Sequence, residues 1–184
     1  SARGQGEPLT GRLKPPAGSR FVGIAMGPGA TRVLVASDAG YGFVGKLEDM
    51  VTKNKAGKAC LSVPKGGFAL PPVMVQTDVV QQVVAVTNQG RMLVFGLDEV
   101  PELARGKGNK LISIPTTAFK SRDEFMISIV VVGPDNELLV QAGQRHLRMK
   151  GKDLEHYIGE RARRGRKLPR GFQKVDSLEL ASRE

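Results

Sequence analysis

The stretch VLVASDAGYGFVGKLEDM (residues 33–50) decides the fold, because its pattern returns twice further along the chain. An aliphatic run, a glycine turn, a second strand-like run and an acidic turn recur as VVAVTNQGRMLVFGLDEV (83–100) and as ELLVQAGQRHLRMKGKDL (137–154). The turn glycines, which are 50 and then 53 residues apart, are Gly40, Gly90 and Gly143. A period of this length with strands inside each unit predicts a propeller-like array of β-blades.

A basic loop that contains glycine follows each copy. The three loops read VTKNKAGKACLSVP (51–64), PELARGKGNKLISIP (101–115) and EHYIGERARRGRKL (155–168). Their glycines, which are 51 and then 57 residues apart, are Gly57, Gly108 and Gly165. A basic feature repeated along a surface suits a long polyanion better than a small substrate, so these loops are the first candidates for function.

The secondary structure is predicted to be all-β. Each glycine turn lies between two runs rich in β-branched and aliphatic residues, and glycine adopts the positive φ that a short hairpin turn requires. The hairpin strands are expected at residues 33–37 and 41–46, 83–87 and 91–95, and 137–141 and 145–149. One further strand per unit is expected at residues 21–26, 73–76 and 125–132. Little helix is expected, and the best candidate is residues 152–164, as one or two turns that lead into the last basic loop.

The repeat divides the chain into about three complete four-stranded blades, at residues 21–70, 71–120 and 121–176. Residues 1–20 are interpreted as the tail of a truncated preceding blade, because Arg3-Gly4-Gln5-Gly6 matches Arg105-Gly106-Lys107-Gly108 at twice the 51-residue period. Residues 177–184 are expected to fray. Ser1 stands where an initiator Met would, so the chain is expected to be a piece of a longer protein. The sequence leaves open whether the blades close into a ring or form an open arc.

The charge is strongly positive and unevenly spread. With 28 Lys and Arg against 18 Asp and Glu, the formal net charge is +10. Residues 145–174 hold eleven of the basic residues and only three acidic ones. A focused positive region of this kind points to nucleic acid or to an anionic membrane surface. No apolar run is long enough to cross a bilayer, and the single cysteine, Cys60, favours a reducing compartment, so a cytoplasmic location is expected.

Catalytic chemistry finds little support, so the chain alone is not expected to be an enzyme. Cys60 lies in an apolar run, where a small buried side chain is the ordinary explanation. His146 and His156 lack the neighbouring cysteines of a zinc site. The glycine-rich residues 27–31 lack the Gly-Lys-Ser/Thr ending of a phosphate-binding P-loop. No catalytic residue, metal or cofactor is therefore predicted.

The basic loops are predicted to bind the phosphates of a nucleic acid, because glycine lets backbone N–H groups approach phosphate while Lys and Arg supply charge. The candidate DNA-binding residues are Arg3, Arg12, Lys53, Lys55, Lys58, Arg105, Lys107, Lys110, Arg161, Arg163, Arg164, Arg166, Lys167 and Arg170. No recognition helix for reading bases is evident. Aromatic residues make up 5% of the chain and Trp is absent, which disfavours base stacking as the main mode. The prediction is sequence-independent binding of a duplex.

Four stretches resemble the carboxy-terminal domain of the A subunit of DNA topoisomerase IV. They are ARGQGEPLTGRL (2–13), VASDAGYGFVGKLEDMVTKNKAGKA (35–59), RMLVFGLDEVPELARGKGNKLISIP (91–115) and GERARRGRKLPRGFQKVD (159–176). The resemblance implies a β-pinwheel, in which neighbouring four-stranded blades exchange strands. It also implies a non-catalytic domain that binds and bends the transported duplex and helps to select substrates such as positive supercoils and linked circles.

The same resemblance implies the partners, which would be double-stranded DNA, the amino-terminal part of the A subunit, and the B subunit of the enzyme. A membrane partner is not expected, and the isolated domain is expected to be monomeric and, in the bacterial cell, nucleoid-associated. In the family the cleavage tyrosine, the ATP and the Mg belong to other parts of the enzyme. Tyr41 and Tyr157 are therefore not expected to act in catalysis.

Two alternatives stay open. The related gyrase domain wraps DNA in a handed sense and carries a box of the form Gln-Arg-Arg-Gly-Gly-Lys-Gly, which residues 163–167 echo only in part, so topoisomerase IV is favoured. The second alternative is a protein-interaction propeller whose basic rim meets an acidic partner.

Overall fold

A computed structural model describes residue 4 and residues 6–182 of the chain, and within them the regular structure is dominated by strands. The strands are β1 (Arg32–Ser37), β2 (Tyr41–Lys46), β3 (Val73–Met74), β4 (Gln82–Thr87), β5 (Arg91–Gly96), β6 (Asn109–Lys110), β7 (Met126–Val132), β8 (Asn136–Ala142), β9 (Arg145–Met149), β10 (Arg166–Lys167) and β11 (Ser177–Ser182). The helices are α1 (Leu9–Arg12), α2 (Leu47–Met50), α3 (Thr116–Lys120) and α4 (Gly151–Glu155), with a 3₁₀ turn at Leu97–Glu99. The all-β prediction is confirmed.

The three predicted hairpins form where the glycine turns place them. β1 pairs with β2, β4 with β5, and β8 with β9, each in antiparallel register. Gly40, Gly90 and Gly143 have φ values of 84°, 72° and 61°, which side-chain-bearing residues rarely adopt. The single helical stretch expected after the third hairpin is α4, and it is one short turn.

The hairpins belong to three sheets, and the sheets exchange strands. Sheet 1 has the order β3-β1-β2-β6, sheet 2 the order β10-β5-β4-β7, and sheet 3 the order β11-β8-β9. The predicted boundaries at 70/71 and 120/121 are therefore not sheet boundaries. β3 and β6 come from the second predicted unit yet complete sheet 1, and β7 and β10 come from the third unit yet complete sheet 2. Sheet 3 has three described strands in place of the expected four.

The pairing of strand edges also corrects the predictions for residues 21–26 and for the carboxy-terminal residues. Residues 21–26 are not a strand, and Phe21, Ile24 and Met26 are exposed. A strand needs an edge whose N–H and C=O groups it can pair, and the free edge of β1 is already taken by β3. Residues 177–182, expected to fray, instead form β11 because β8 offers them an open edge.

Sheet 2 is packed on both faces. Along β4, Val83 and Ala85 point into a core shared with sheet 1, whereas Val84 and Val86 point into a core shared with sheet 3. Alternate residues of a strand face opposite sides, so a sheet between two others needs an unbroken apolar run. This packing holds the three sheets, and the loops attached to them, in fixed relation. Within residues 6–182 no helix has the length and apolar character that crossing a membrane requires.

Candidate nucleic-acid interface

Each of the second and third basic loops is attached to the edge of the preceding sheet. We define basic loop 1 as residues 52–60, basic loop 2 as residues 103–110 and basic loop 3 as residues 159–170. At sheet 1, the Val44 N–H donates to the Pro101 carbonyl (3.0 Å), and the Leu103 N–H donates to the Val44 carbonyl (2.9 Å). At sheet 2, Val94 makes the equivalent pair of bonds with Tyr157 (2.9 Å) and Gly159 (3.0 Å). The segment that leads into each loop thus bonds to the outer edge of the preceding sheet, and β6 and β10 are the outermost strands of sheets 1 and 2.

Successive basic loops are also joined to one another by a repeated backbone hydrogen bond. In each case the acceptor is the carbonyl two residues before the loop glycine. The donor is an N–H of the segment that follows the preceding loop or, for basic loop 1, of the segment that follows α1. The three bonds, each 2.9 Å long, run from Lys14 to Lys55, from Ser62 to Gly106 and from Ser113 to Arg163. The loops are therefore neighbours in the order in which they occur along the chain.

Two of the loop glycines are required by the contact with the sheet. Gly108 has a φ of 79°, and a Cβ at this position would collide with the Gly42 carbonyl. Gly165 has a φ of 73°, and a Cβ there would collide with the Met92 carbonyl. Gly57 shares the conformation, with a φ of 91°, but has open space around it. In loops 2 and 3 the absence of a side chain at the glycine thus allows the loop to lie against the sheet.

The side chains of the predicted DNA-binding residues differ in exposure. Arg3 lies outside the described residues. The exposed ones are Arg12, Lys53, Lys55, Lys58, Arg105, Lys107, Arg163, Arg166, Lys167 and Arg170. The half-buried ones are Lys110, Arg161 and Arg164. Most of the set is thus accessible to a large ligand.

Arg164 is engaged inside the protein. Its guanidinium donates two hydrogen bonds to the Glu124 carboxylate, at 2.7 and 2.6 Å, and a third to the Ser113 carbonyl at 3.1 Å. The Glu124 side chain is only 2% exposed, so this is a buried, bidentate ion pair. The pair fastens basic loop 3 to the segment after basic loop 2, and we remove Arg164 from the candidate phosphate ligands.

Arg161 and Arg163 are less firmly engaged inside the protein than Arg164. Arg161 donates from Nη1 to the Lys110 carbonyl at 2.7 Å, which is a second link between basic loops 2 and 3. Arg163 pairs with Glu160 at 2.7 Å, but both side chains are more than 70% exposed. An exposed pair of this kind is worth less than about 1 kcal/mol, so a phosphate can replace the carboxylate at Arg163.

Sequence reasoning missed two lysines next to basic loop 2. Lys65 and Lys120 line the same cavity as Lys107 and Lys110, although they lie outside the three repeated loops. No repeat pattern marks them. Only the fold, which brings the segments after loops 1 and 2 to the β1–β2 hairpin, places them together. Within the described part of the chain, no group of three His, Cys, Asp or Glu side chains is arranged to hold a metal ion.

Comparisons with known proteins agree with this architecture. A family model described as the DNA gyrase C-terminal domain, beta-propeller, matches residues 81–132. The chain is 52% identical to the A subunit of DNA topoisomerase 4 from Pseudomonas aeruginosa over 97% of its length, and 40% identical to that from Escherichia coli over 99% of its length. It spans about a quarter of the length of these curated relatives, namely 24% of each.

Two solved structures share the fold. The structure of the E. coli ParC C-terminal domain superposes with a TM-score of 0.87 at 38% identity, covering 98% of this chain and 73% of that one. The structure of a DNA gyrase A C-terminal domain superposes with a TM-score of 0.75 at 13% identity, covering 97% of this chain and 59% of that one. The second likeness is one of fold alone.

Proposed function

Because this chain belongs to the family of C-terminal domains found in the A subunit of DNA topoisomerase IV, we propose that it binds double-stranded DNA through its basic loops. The observation that carries the proposal is the repeated backbone hydrogen bond between successive loops. It supports an uninterrupted row of cations, spaced by the sheets, on which consecutive phosphates of one duplex can sit.

The binding is expected to be electrostatic and indifferent to sequence. Lys and Arg side chains on loops reach phosphates, which are the same in every sequence, and the described part of the fold offers no long helix for the major groove. Each neutralised phosphate releases counterions, so affinity must fall steeply as salt rises. If the loops engage about six to eight phosphates, log affinity falls with log salt at a slope of about −5 to −7.

The finer parts of the proposal follow from the family. A duplex that touches loops on successive sheets would bend to follow them. In the whole enzyme the domain would engage the transported duplex and favour substrates such as positive supercoils and linked circles. Cleavage and ATP hydrolysis, with Mg, would take place elsewhere, in the B subunit together with the rest of the A subunit.

The test is duplex binding by fluorescence anisotropy at rising salt, with two labelled duplexes of unrelated sequence. The variant Arg163→Ala/Arg166→Ala is expected to weaken binding to both duplexes alike and to make the salt slope shallower by about 2. The control Lys46→Ala/Lys152→Ala removes the same charge at residues outside the three basic loops and should keep the original slope. An affinity that ignores salt, or a loss confined to one duplex, would contradict the proposal.

A gyrase-like activity is the second candidate, because the matching family model describes the gyrase domain. Handed wrapping is tested by closing a nicked plasmid with ligase in the presence of the chain. Little trapped writhe is expected, since the gyrase-type box is present only as a partial echo at residues 163–167. Strong positive writhe would favour the gyrase activity.

A further inference from the structure

A cavity of about 430 Å³ opens beside the β1–β2 hairpin, and four lysines line it. They are Lys65, Lys107, Lys110 and Lys120. Tyr41, the first residue of β2, lies among them, and Phe119 of α3 forms part of the apolar wall. We call this cavity the Tyr41 pocket.

The tyrosine ring brings two of the lysines together. The Lys107 ammonium lies 4.3 Å from the centroid of the Tyr41 ring, and the Lys110 ammonium lies 6.0 Å from it. A cation over the face of an aromatic ring is attracted by the ring quadrupole. This contact holds both ammonium groups at the pocket while leaving their N–H donors available for an anion.

Among the residues that the structure describes, the pocket contains no counter-charge. No acidic residue lines it, and none of its four lysines takes part in an ion pair with a described carboxylate. Arg164, by contrast, is neutralised by the Glu124 carboxylate. Like charges gathered without a partner repel one another, and a bound anion would relieve that cost.

The next repeat provides an internal comparison. A second cavity lies beside the β4–β5 hairpin, where Lys167 and Lys174 share the lining with Asp123 and Asp176. The position equivalent to Tyr41 is Arg91, which donates to the Gly165 carbonyl at 3.3 Å. The two carboxylates balance the charge of the two lysines, so the uncompensated positive charge is a property of the first cavity.

We propose that the Tyr41 pocket is an anchoring subsite for one sugar-phosphate unit of the DNA backbone. The four lysines would bind the phosphate, and the apolar wall that includes Phe119 would contact the deoxyribose. The inference rests on the proposed DNA-binding function and adds to it a defined subsite, with Lys65 and Lys120 as ligands outside the repeated loops.

The first test compares two double variants of equal net charge. Lys65→Ala/Lys120→Ala is expected to lower duplex affinity about tenfold, because it removes charged hydrogen bonds to a phosphate. The salt slope should become shallower by about 1, which is the loss of a single phosphate site. Lys46→Ala/Lys152→Ala should stay within about twofold of the unaltered chain, since neither side chain lines the pocket.

The second test uses the two tyrosines, which are the only ones in the sequence. The chain is labelled with 3-fluorotyrosine, and the ¹⁹F resonance of Tyr41 is assigned with the variant Tyr41→Phe. Duplex DNA is expected to shift the Tyr41 resonance and to leave that of Tyr157, which is buried, unchanged. Inorganic phosphate alone should produce a smaller shift, because it makes no contact with the apolar wall.

The outcomes separate the inference from the function on which it rests. In one outcome, DNA binds with the expected salt dependence while the Tyr41 resonance does not shift and Lys65→Ala/Lys120→Ala has the affinity of its control. That result would overturn the assignment of the pocket and leave the DNA-binding proposal standing. If no duplex binds at low salt, both proposals fail. If inorganic phosphate reproduces the full shift, the assignment of the apolar wall to a sugar is wrong.

Discussion

Arg122 donates a hydrogen bond from Nη2 to Oδ2 of Asp38 at a distance of 2.7 Å, across 84 residues of sequence. Asp38 lies in the β1–β2 turn and is 3% exposed, while Arg122 follows α3 and has a φ of 62°. The guanidinium also lies 4.3 Å from the centroid of the Phe125 ring. The pair fastens the first hairpin to the segment that leads into sheet 2.

Removal of this arginine should destabilise the chain. Arg122→Ala leaves the buried Asp38 carboxylate without its cation, and we expect the free energy of unfolding to fall by about 2–3 kcal/mol. Urea denaturation followed by circular dichroism measures it. Arg20→Ala is the matched control, because Arg20 contacts the Phe68 ring at 5.2 Å and pairs with no described carboxylate. Equal losses in the two variants would refute the role of the ion pair.

Arg164 and Arg166 should separate stability from binding. Arg164→Ala breaks the buried pair with Glu124 and is expected to cost about 3 kcal/mol of unfolding free energy. Arg166→Ala removes an exposed side chain, so stability should change by less than about 0.5 kcal/mol while duplex affinity falls. Thermal melts and anisotropy on both variants provide the measurements. An Arg164→Ala chain that melts normally yet binds DNA poorly would return Arg164 to the phosphate ligands.

The loop glycines should differ in their tolerance of alanine. Gly57→Ala meets only the strain of a positive φ, about 1–2 kcal/mol, because nothing crowds the position. Gly108→Ala meets the same strain and also a clash with the Gly42 carbonyl, so we expect a loss of about 3 kcal/mol or more. Urea midpoints of the two variants decide the matter. Similar midpoints would show that basic loop 2 is not held against sheet 1 as described.

Glu137 should make stability depend on acid pH. The hydrogen bond from Lys150 lowers the pKa of Glu137 below its ordinary value of 4.5, and the charges of Lys150 and Arg148 act in the same direction against the effect of burial. A depressed carboxyl pKa contributes stability above pH 4.5 that is lost as the pH falls through the folded-state pKa. The difference in free energy of unfolding between the unaltered chain and Glu137→Gln should therefore become smaller as the pH is lowered below 4.5. A gap that is constant with pH in urea titrations would contradict the prediction.

The hairpins could be predicted from the sequence because their signals are local. A glycine turn between two β-branched runs carries all the information that pairs β4 with β5. The exchanged strands carry no such signal. β6 and β10 are two residues long, and their partners lie in the preceding unit, so no window of sequence contains both sides of the pairing.

In the candidate site, too, the features with a local or repeated sequence signal could be predicted, and those that depend on distant contacts could not. Repetition marks the basic loops, but it cannot distinguish a cation that faces solvent from one that faces a buried acid. Arg163 and Arg164 are adjacent and chemically identical, and only the fold brings Glu124, 40 residues away, to the second of them. Lys65 and Lys120 were missed for the converse reason, since isolated lysines are ordinary surface residues until the chain brings them to one pocket.

The repeated hydrogen bonds whose acceptors are the carbonyls of Lys55, Gly106 and Arg163 involve main-chain atoms only. These bonds are consequently independent of which side chains the exposed positions of the loops carry. Natural variation or protein engineering could therefore change the affinity for a ligand by substituting one exposed side chain at a time. The path that the ligand follows over the loops would stay the same.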